Sequence, residues 1–530
     1  MNTSKITRKN FLKVTGGTSA LMFLPGFFLN SCENDATPNR EADPSFIPDI
    51  EFELTAHPSE VSILPGAKTK VWKYSGKIIN GRKDALQTLD DNYLGPIFRV
   101  KTGEKIRVRF KSELDEITIV HWHGLHVPEE MDGHPKYVIE QGEEYVYEFE
   151  VKDRAGTYWF HPHPHELTGP QVYSGLAGLF IVNDTEEQKL NLPSGKDEIP
   201  IVIQDRTFDS DNQLVYINSP MDRMTGFLGD QIVVNGKSNF SLNLDTKAYR
   251  LRLLNGSNSR IYKLAWNDGT PFTVIGTDGG LLEKPVEKEY LTFGPAERFD
   301  IIADFSNKEP GDEIKLVSLP FPSTISGMGG MMGRGMMGGN NNASVEMGSR
   351  LNLLSLNIKN RVDRKFNLAS RLSTLEKLNP QDAVNFNNPR KFVFGMGGHM
   401  RWTINNRTFE MNEVADYEKV KLDTSEIWEF VNGGGRGMMG GMMQMPHPVH
   451  IHGLQFRIIE RISDGGFDET FDSFKDGFVD EGWKDSFLLL PGTRVKVLLR
   501  FEDFTGMYLY HCHNLEHEDM GMMRNYMITK

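Results

Sequence analysis

Histidines at alternate positions, in four short runs, constrain this chain more than any other feature. Near the C-terminus the run is His511-Cys512-His513, a thiolate between two imidazoles. Successive side chains of an extended strand point to opposite faces, so Cys512 faces one way and His511 and His513 the other. His121-Trp122-His123 and His161-Pro162-His163 each put two imidazoles on one face. In the run from His447 to His452, His450 and His452 share a face and His447, by parity, takes the opposite one. Eight imidazoles can therefore converge on one cluster: His121, His123, His161, His163, His450, His452, His511 and His513. Cys512 and His447 turn towards a second site, with His517 five residues and Met522 ten residues beyond Cys512. Two imidazoles, a thiolate and a weak axial thioether form the ligand set of a blue-copper electron-transfer centre. Nine of the chain's 15 histidines lie in these runs, His517 follows as a tenth, and none lies between His165 and His399, so the residue is concentrated where a metal would be held.

The stretches HWHGLHVPEEMDG (121–133), TYWFHPHPHELTGPQVYSGLAGLFIV (157–182), HPVHIHGLQFRI (447–458) and HCHNLEHEDMGMM (511–523) carry a family resemblance. The chain resembles the three-domain multicopper oxidases, most closely the bacterial laccase-like enzymes that include the periplasmic copper-efflux (cuprous) oxidase. The likeness extends from about Trp72 to the C-terminus. It implies four copper ions. His447, Cys512, His517 and Met522 would hold the type 1 copper, and His121 and His450 the type 2 copper. His123, His161, His163, His452, His511 and His513 would hold the type 3 pair. Electrons taken singly at the first site would reduce O2 at the other three, and the unbroken His-Cys-His would join the two by covalent bonds. Reduction of O2 consumes protons, which calls for carboxylates near the cluster, and Asp132 and Glu518 match the family's acidic positions. His126, His134 and His165 lie beside the motifs but off the ligand pattern.

Short Val/Ile/Phe/Tyr/Leu runs about ten residues apart, bounded by Gly, Pro, Asn and Asp, signal an all-β chain of sandwich type. Examples are KIRVRF (105–110), EYVYEFEV (144–151) and RVKVLLRF (494–501). The resemblance sharpens this to three cupredoxin-like Greek-key domains, at 51–185, 194–362 and 385–530. The first and third carry the histidine motifs, so the cluster must straddle them. The middle domain reads as a spacer and part of the substrate wall. Both halves lie in one chain, so a monomer is expected.

The N-terminus reads as targeting rather than fold. Thr7-Arg8-Lys9-Asn10-Phe11-Leu12-Lys13 resembles a twin-arginine export motif with Lys for the second Arg, and an apolar stretch follows. Leu29-Asn30-Ser31-Cys32 resembles a lipobox, which predicts a signal at 1–31, lipid on Cys32, a polar tether at 32–50 and a location on the periplasmic side. The only other cysteine is Cys512, so no spare thiol exists for a structural disulfide. The net charge of −13 argues against a nucleic-acid partner. No internal apolar run is long enough to span a membrane, leaving the lipid as the expected membrane contact.

Methionine bears on the reductant. Residues 327–347 and 433–445 are Gly-Met tracts that hold 11 of the 24 methionines. Thioethers select Cu(I), and Met445 stands two residues before His447, where the copper-efflux oxidase carries a substrate-site Met. Met442, Met443 and Met445 are thus candidate ligands for substrate copper. The family's cuprous site also uses aspartates. Residues 433–446 hold no carboxylate and 327–347 only Glu346, so that site cannot be carried over complete. Cu(I) oxidation in copper tolerance is the leading expectation and oxidation of phenols, as in a laccase, the second. A copper-sequestering lipoprotein and a non-enzymatic scaffold of the cell-division type are readings of another class. The scaffold relative lacks copper ligands, whereas this chain retains them.

Overall fold

Six β-sheets sort by sequence into three facing pairs. The computed structural model describes residues 40–89, 91–322, 345–398, 401–433 and 445–530. The expected export signal, Cys32, Met442 and Met443 lie outside the described residues, as does most of the 327–347 tract. Among the described residues the longest helix, Asp468–Phe474, has seven residues, and no helix is long and apolar enough to cross a membrane.

In the first pair, a four-stranded sheet (Ile50–Val61, Thr69–Asn80, Lys105–Ser112, Glu144–Glu150) faces a five-stranded sheet. The second sheet contains Ile97–Lys101, Gly178–Asn183, Gly156–Pro162 and, at its edge, Val120–His123. Strand Lys105–Ser112 shows the alternation that drives this: Ile106, Val108 and Phe110 are buried between the sheets, where Phe98, Trp122 and Phe160 meet them. Phe52 and Phe98 join the two layers edge to face, with centroids 4.7 Å apart. A seven-stranded and a five-stranded sheet between Glu198 and Asn360 form the second sandwich, and two five-stranded sheets between Arg390 and Thr529 the third. The fold is all-β and cupredoxin-like.

Register brings the motifs together in pairs. Val120–His123 runs antiparallel to Gly156–Pro162 with His121 opposite His161. His447–Ile451 runs antiparallel to Gly506–Cys512 with His450 opposite His511 and Val449 opposite Cys512. Strands of this kind are buried on both faces: six of the seven residues of Gly506–Cys512 are buried. One face meets the domain core and the other meets the neighbouring domain.

The loop that follows the first histidine motif is shaped by a glycine. Gly133 has φ +83°, and a Cβ there would overlap the Val120 carbonyl, so the chain can fold back against His121 only without a side chain. Gly133→Ala is expected to destabilise the copper-free protein by at least about 1–2 kcal/mol from the left-handed backbone alone, with the overlap in addition. Thermal unfolding of the metal-free variant checks this, and an unchanged melting profile would contradict it.

Candidate metal centres

The parity derived from the strands holds in three dimensions. Cys512 Sγ lies 3.4 Å from His447 Nδ1 and 3.7 Å from His517 Nδ1, and these three side chains form one potential metal-binding group. All are buried, and Met522 is packed in the same core. The Cys512 N–H donates to the Met522 carbonyl and the Met522 N–H to the His517 carbonyl, which folds the segment back on itself. A short helix, Leu515–Asp519, makes the turn, with the Asn514 side chain accepting from the His517 N–H at its start. Adjacent residues on a helix point in different directions. His517 thus faces Cys512 while Glu518 faces the other cluster, with carboxylate oxygens 3.1 Å from His511 Nδ1 and 3.6 Å from His163 Nε2.

The eight imidazoles meet between the first and third sandwiches, all buried. Their protonation can be read from their acceptors. Nδ1–H of His121 donates to the Asp132 carbonyl at 2.6 Å, that of His450 to the Asp485 carbonyl at 2.8 Å, and that of His161 to the Pro162 carbonyl at 2.9 Å. His452 Nδ1 donates to the Asp132 carboxylate at 2.8 Å and His511 Nδ1 to the Cys512 carbonyl at 3.1 Å. Each ring then aims a bare nitrogen inward. His121 Nε2 faces His450 Nε2 at 3.3 Å, and His511 Nε2 faces His452 Nε2 at 3.0 Å and His163 Nε2 at 3.4 Å. His123 Nδ1 faces His161 Nε2 at 3.3 Å. His513 has no partner for either nitrogen. Lone pairs facing lone pairs in a buried space cannot hydrogen-bond, and unpaired buried polar atoms are costly. A shared cation satisfies all of them, so the residues present fit a multinuclear copper group.

Electrostatics agree. Burial holds His447 and His161 down to about 3 and His163 to about 4, and holds His121, His123, His450, His452, His513 and His517 well below the usual range. Neutral imidazole is the ligand form. Burial pushes the Asp132 carboxyl well up, aided by the charge of Glu129. Burial also pushes Glu518 up, but His511 and His163 pull it further down, below the ordinary carboxylate range.

Asp132 lies between His121 and His452, so both expected carboxylates reach the cluster. His134 is buried against Asn525, and His126 joins Gly453 and Asp503, away from the ligands. Met445 is 2% exposed and lies in the core cluster of the third sandwich that also holds Cys512 and Met522. Four contributors were not found from sequence. Asp485 accepts from His123 Nε2 at 3.1 Å and pairs with Arg298, and Trp402 and the Met224 carbonyl cover His517. Arg298 and Met224 belong to the middle domain, so that domain is more than a spacer. The visible signal for Asp485 was a charged Lys-Asp pair leading directly into the apolar run Ser486–Leu490.

Multicopper oxidase family models match residues 68–187 and 382–530. The multicopper oxidase mco of Staphylococcus epidermidis is 35% identical over 440 residues, which is 83% of either chain. The laccase of Bacillus subtilis is 28% identical over 87% of this chain and 90% of its own. The crystal structure of the McoA multicopper oxidase from Aquifex aeolicus is 33% identical, with a TM-score of 0.73, covering 92% of this chain and 97% of that one.

Burial pushes the Cys512 thiol far above its usual range, so in the metal-free protein it is protonated at neutral pH, and a metal must displace that proton. Loading with copper at constant pH is expected to release a thiol proton that Cys512→Ser does not release. Affinity at this site should rise with pH, and equal proton release by the two proteins in pH-stat titration would contradict the assignment.

Proposed function

Because this chain belongs to the multicopper oxidases, we propose that it couples four one-electron oxidations to reduction of O2 to water, with Cu(I) as the reductant, in copper tolerance. The proposed centres are a type 1 copper on His447, Cys512, His517 and Met522 and a type 2 copper on His121 and His450. A type 3 pair would lie on His123, His161 and His513 and on His163, His452 and His511. Copper supplies the one-electron steps and the binding of O2. The chain's own residues hold the imidazoles in their ligand tautomers, exclude water, and carry protons at Asp132 and Glu518.

The observation that carries the choice of reductant is the closure of the type 1 site. His447 and His517 are at most 1% exposed. His517 Nε2 donates to the Met224 carbonyl at 3.1 Å, and the Trp402 indole N–H donates to the same carbonyl at 3.0 Å. The indole ring lies 4.4 Å from the His517 ring and 5.1 Å from that of His447, centroid to centroid. A bulky phenol has no imidazole edge to stack on. The Gly-Met tracts support the same reading. Met347, at the end of one, packs with Leu488 and Leu490, which flank Leu489, the strand partner of His447. Asn432, just before the other, donates to the carbonyls of Met445 and Leu489. The described ends of both tracts thus meet the segment Leu488–Leu490, whose Leu489 pairs with His447.

The proposal extends to the compartment, an exported lipoprotein anchored through Cys32, because two acyl signals can hold a protein at a membrane. Mass spectrometry of membrane-fraction protein should find a mature chain that begins at acylated Cys32, and an unmodified start elsewhere would refute it.

Oxygen uptake with Cu(I) and with a bulky phenol tests the reductant. Deleting 327–347, or replacing Met442 and Met443 by Leu, should lower kcat/KM for Cu(I). The deletion should leave phenol oxidation equal or faster. Unchanged Cu(I) oxidation in both variants would put the laccase reading first. Separately, Glu518→Gln should slow reoxidation of the reduced enzyme by O2 while substrate still reduces the blue centre at the parent rate. Unchanged reoxidation would remove Glu518 from the proton path.

A further inference from the structure

The middle sandwich supplies none of the proposed ligands, yet one of its side chains reaches the cluster. Arg298, at the start of strand Arg298–Asp304, is completely buried. Its Nε donates to the Thr157 carbonyl at 2.9 Å and its Nη1 to the Ala296 carbonyl at 2.9 Å. Its own N–H donates to Asp278 Oδ1 at 2.7 Å, and Nη2 donates to the Asp278 carbonyl at 3.2 Å. The remaining capacity of the guanidinium grips both oxygens of Asp485, with Nη1 to Oδ1 at 2.7 Å and Nη2 to Oδ2. This is the bidentate geometry in which arginine holds a carboxylate most firmly.

Asp485 Oδ1 is also 3.1 Å from His123 Nε2 and 2.9 Å from the Ser486 hydroxyl, which itself lies 3.1 Å from the same imidazole nitrogen. His123 is thereby unlike its neighbours. His121, His161, His450, His452 and His511 donate outward through Nδ1 and aim Nε2 at the cluster. His123 donates outward through Nε2 and aims Nδ1 inward, towards His161. Nδ1 is the nitrogen nearer the backbone, so the inverted ring serves a strand that lies close to the cluster.

We infer that Arg298 is a positioning residue for the trinuclear centre: it fixes Asp485, which holds His123 in the Nε2–H tautomer that presents Nδ1 to copper. The chain makes room for this pair. Gly124, directly after His123, has φ +90°, and a Cβ there would overlap Asp485 Oδ2 and lie 2.8 Å from Arg298 Nη2. The glycine of His-Trp-His-Gly is thus required by a salt bridge between the other two domains. An ionised acceptor matters because a neutral group of weaker basicity would leave both tautomers of His123 close in energy, and only one of them has its lone pair on Nδ1.

The neighbouring ion pair provides a control. Lys484 Nζ lies 3.0 Å from Glu297 and 3.2 Å from Asp278, so consecutive residues Glu297-Arg298 and Lys484-Asp485 join the same two domains with charges reversed. Both pairs are buried, and removing one partner of either is destabilising. Only the Arg298–Asp485 pair touches an imidazole of the cluster.

The inference rests on the copper-oxidase reading, so one measurement is made without copper. In the full-length metal-free protein with 15N-labelled histidine, the parent should show one imidazole, lost in His123→Gln, in the Nε2–H form with a bare Nδ1. Arg298→Met should turn that signal into a tautomer mixture. On loading, this variant should retain the blue type 1 colour and lose copper and type 3 absorbance from the trinuclear site. Glu297→Gln should lower thermal stability and leave the tautomer and the copper count unchanged. If Arg298→Met does not fold, Arg298→Lys, which keeps the charge and loses the bidentate grip, is expected to show the same changes in weaker form. A parent-like His123 signal and full copper content in the folded arginine variant would overturn the inference, as would equal copper loss in Glu297→Gln. A parent that binds no copper would instead refute the oxidase reading and leave the tautomer result standing.

Discussion

Unprotonated imidazole nitrogens face one another across a buried space between two sandwiches, and the rest of the architecture follows from keeping them there. His121 and His450, His452 and His511, and His123 and His161 approach to 3.0–3.3 Å, nitrogen to nitrogen. Without a cation such contacts repel, and with one they become ligation. The protein contributes the outward hydrogen bonds, mostly to backbone carbonyls, that remove the choice of tautomer. Backbone acceptors are well suited to this because their position is set by the strand ladder and not by a rotamer.

The two candidate sites are joined through adjacent residues of the chain. Cys512 lies between His511 and His513 at the end of a strand with six of its seven residues buried, and strand alternation sends the thiolate and the imidazoles to opposite faces. The five-residue helix Leu515–Asp519 repeats this division, with His517 beside the thiolate and Glu518 beside His511 and His163. One segment of about a dozen residues therefore places side chains in both candidate centres and a carboxylate beside one. Burial, which holds His447 and His517 in the neutral ligand form, also keeps the Cys512 thiol protonated until a metal arrives.

The middle sandwich closes both centres from outside. Its Met224 carbonyl occupies the outer nitrogen of His517, and its Arg298 fixes the carboxylate behind His123. A metal centre built between two domains needs its ligands held across an interface, and a third domain that contacts both can do so with groups that never touch metal.

Much of the site was legible in the primary structure because its logic is local. Period-two spacing of histidine in strand-forming sequence dictates which rings share a face, and the sorting of Cys512 and His447 away from the other eight histidines follows from parity alone. Fold class was legible for the same reason, since alternation and turn residues act over a few positions. The roles of Asp485, Arg298, Trp402 and Met224 were not, because each depends on a contact between residues tens to hundreds of positions apart: Arg298 to Asp485 spans 187 and His517 to Met224 spans 293. The burial of Met445 was not legible for a related reason: its nearness to His447 in sequence is compatible with a surface loop or with the core, and only folding placed it in the core of the third sandwich. The sequence by itself determined which atoms could bind metal. Tertiary structure decided which nitrogen of each ring faces the cluster, and how closed the Cys512 site is, because tautomer and exposure are properties of neighbours brought together only by folding.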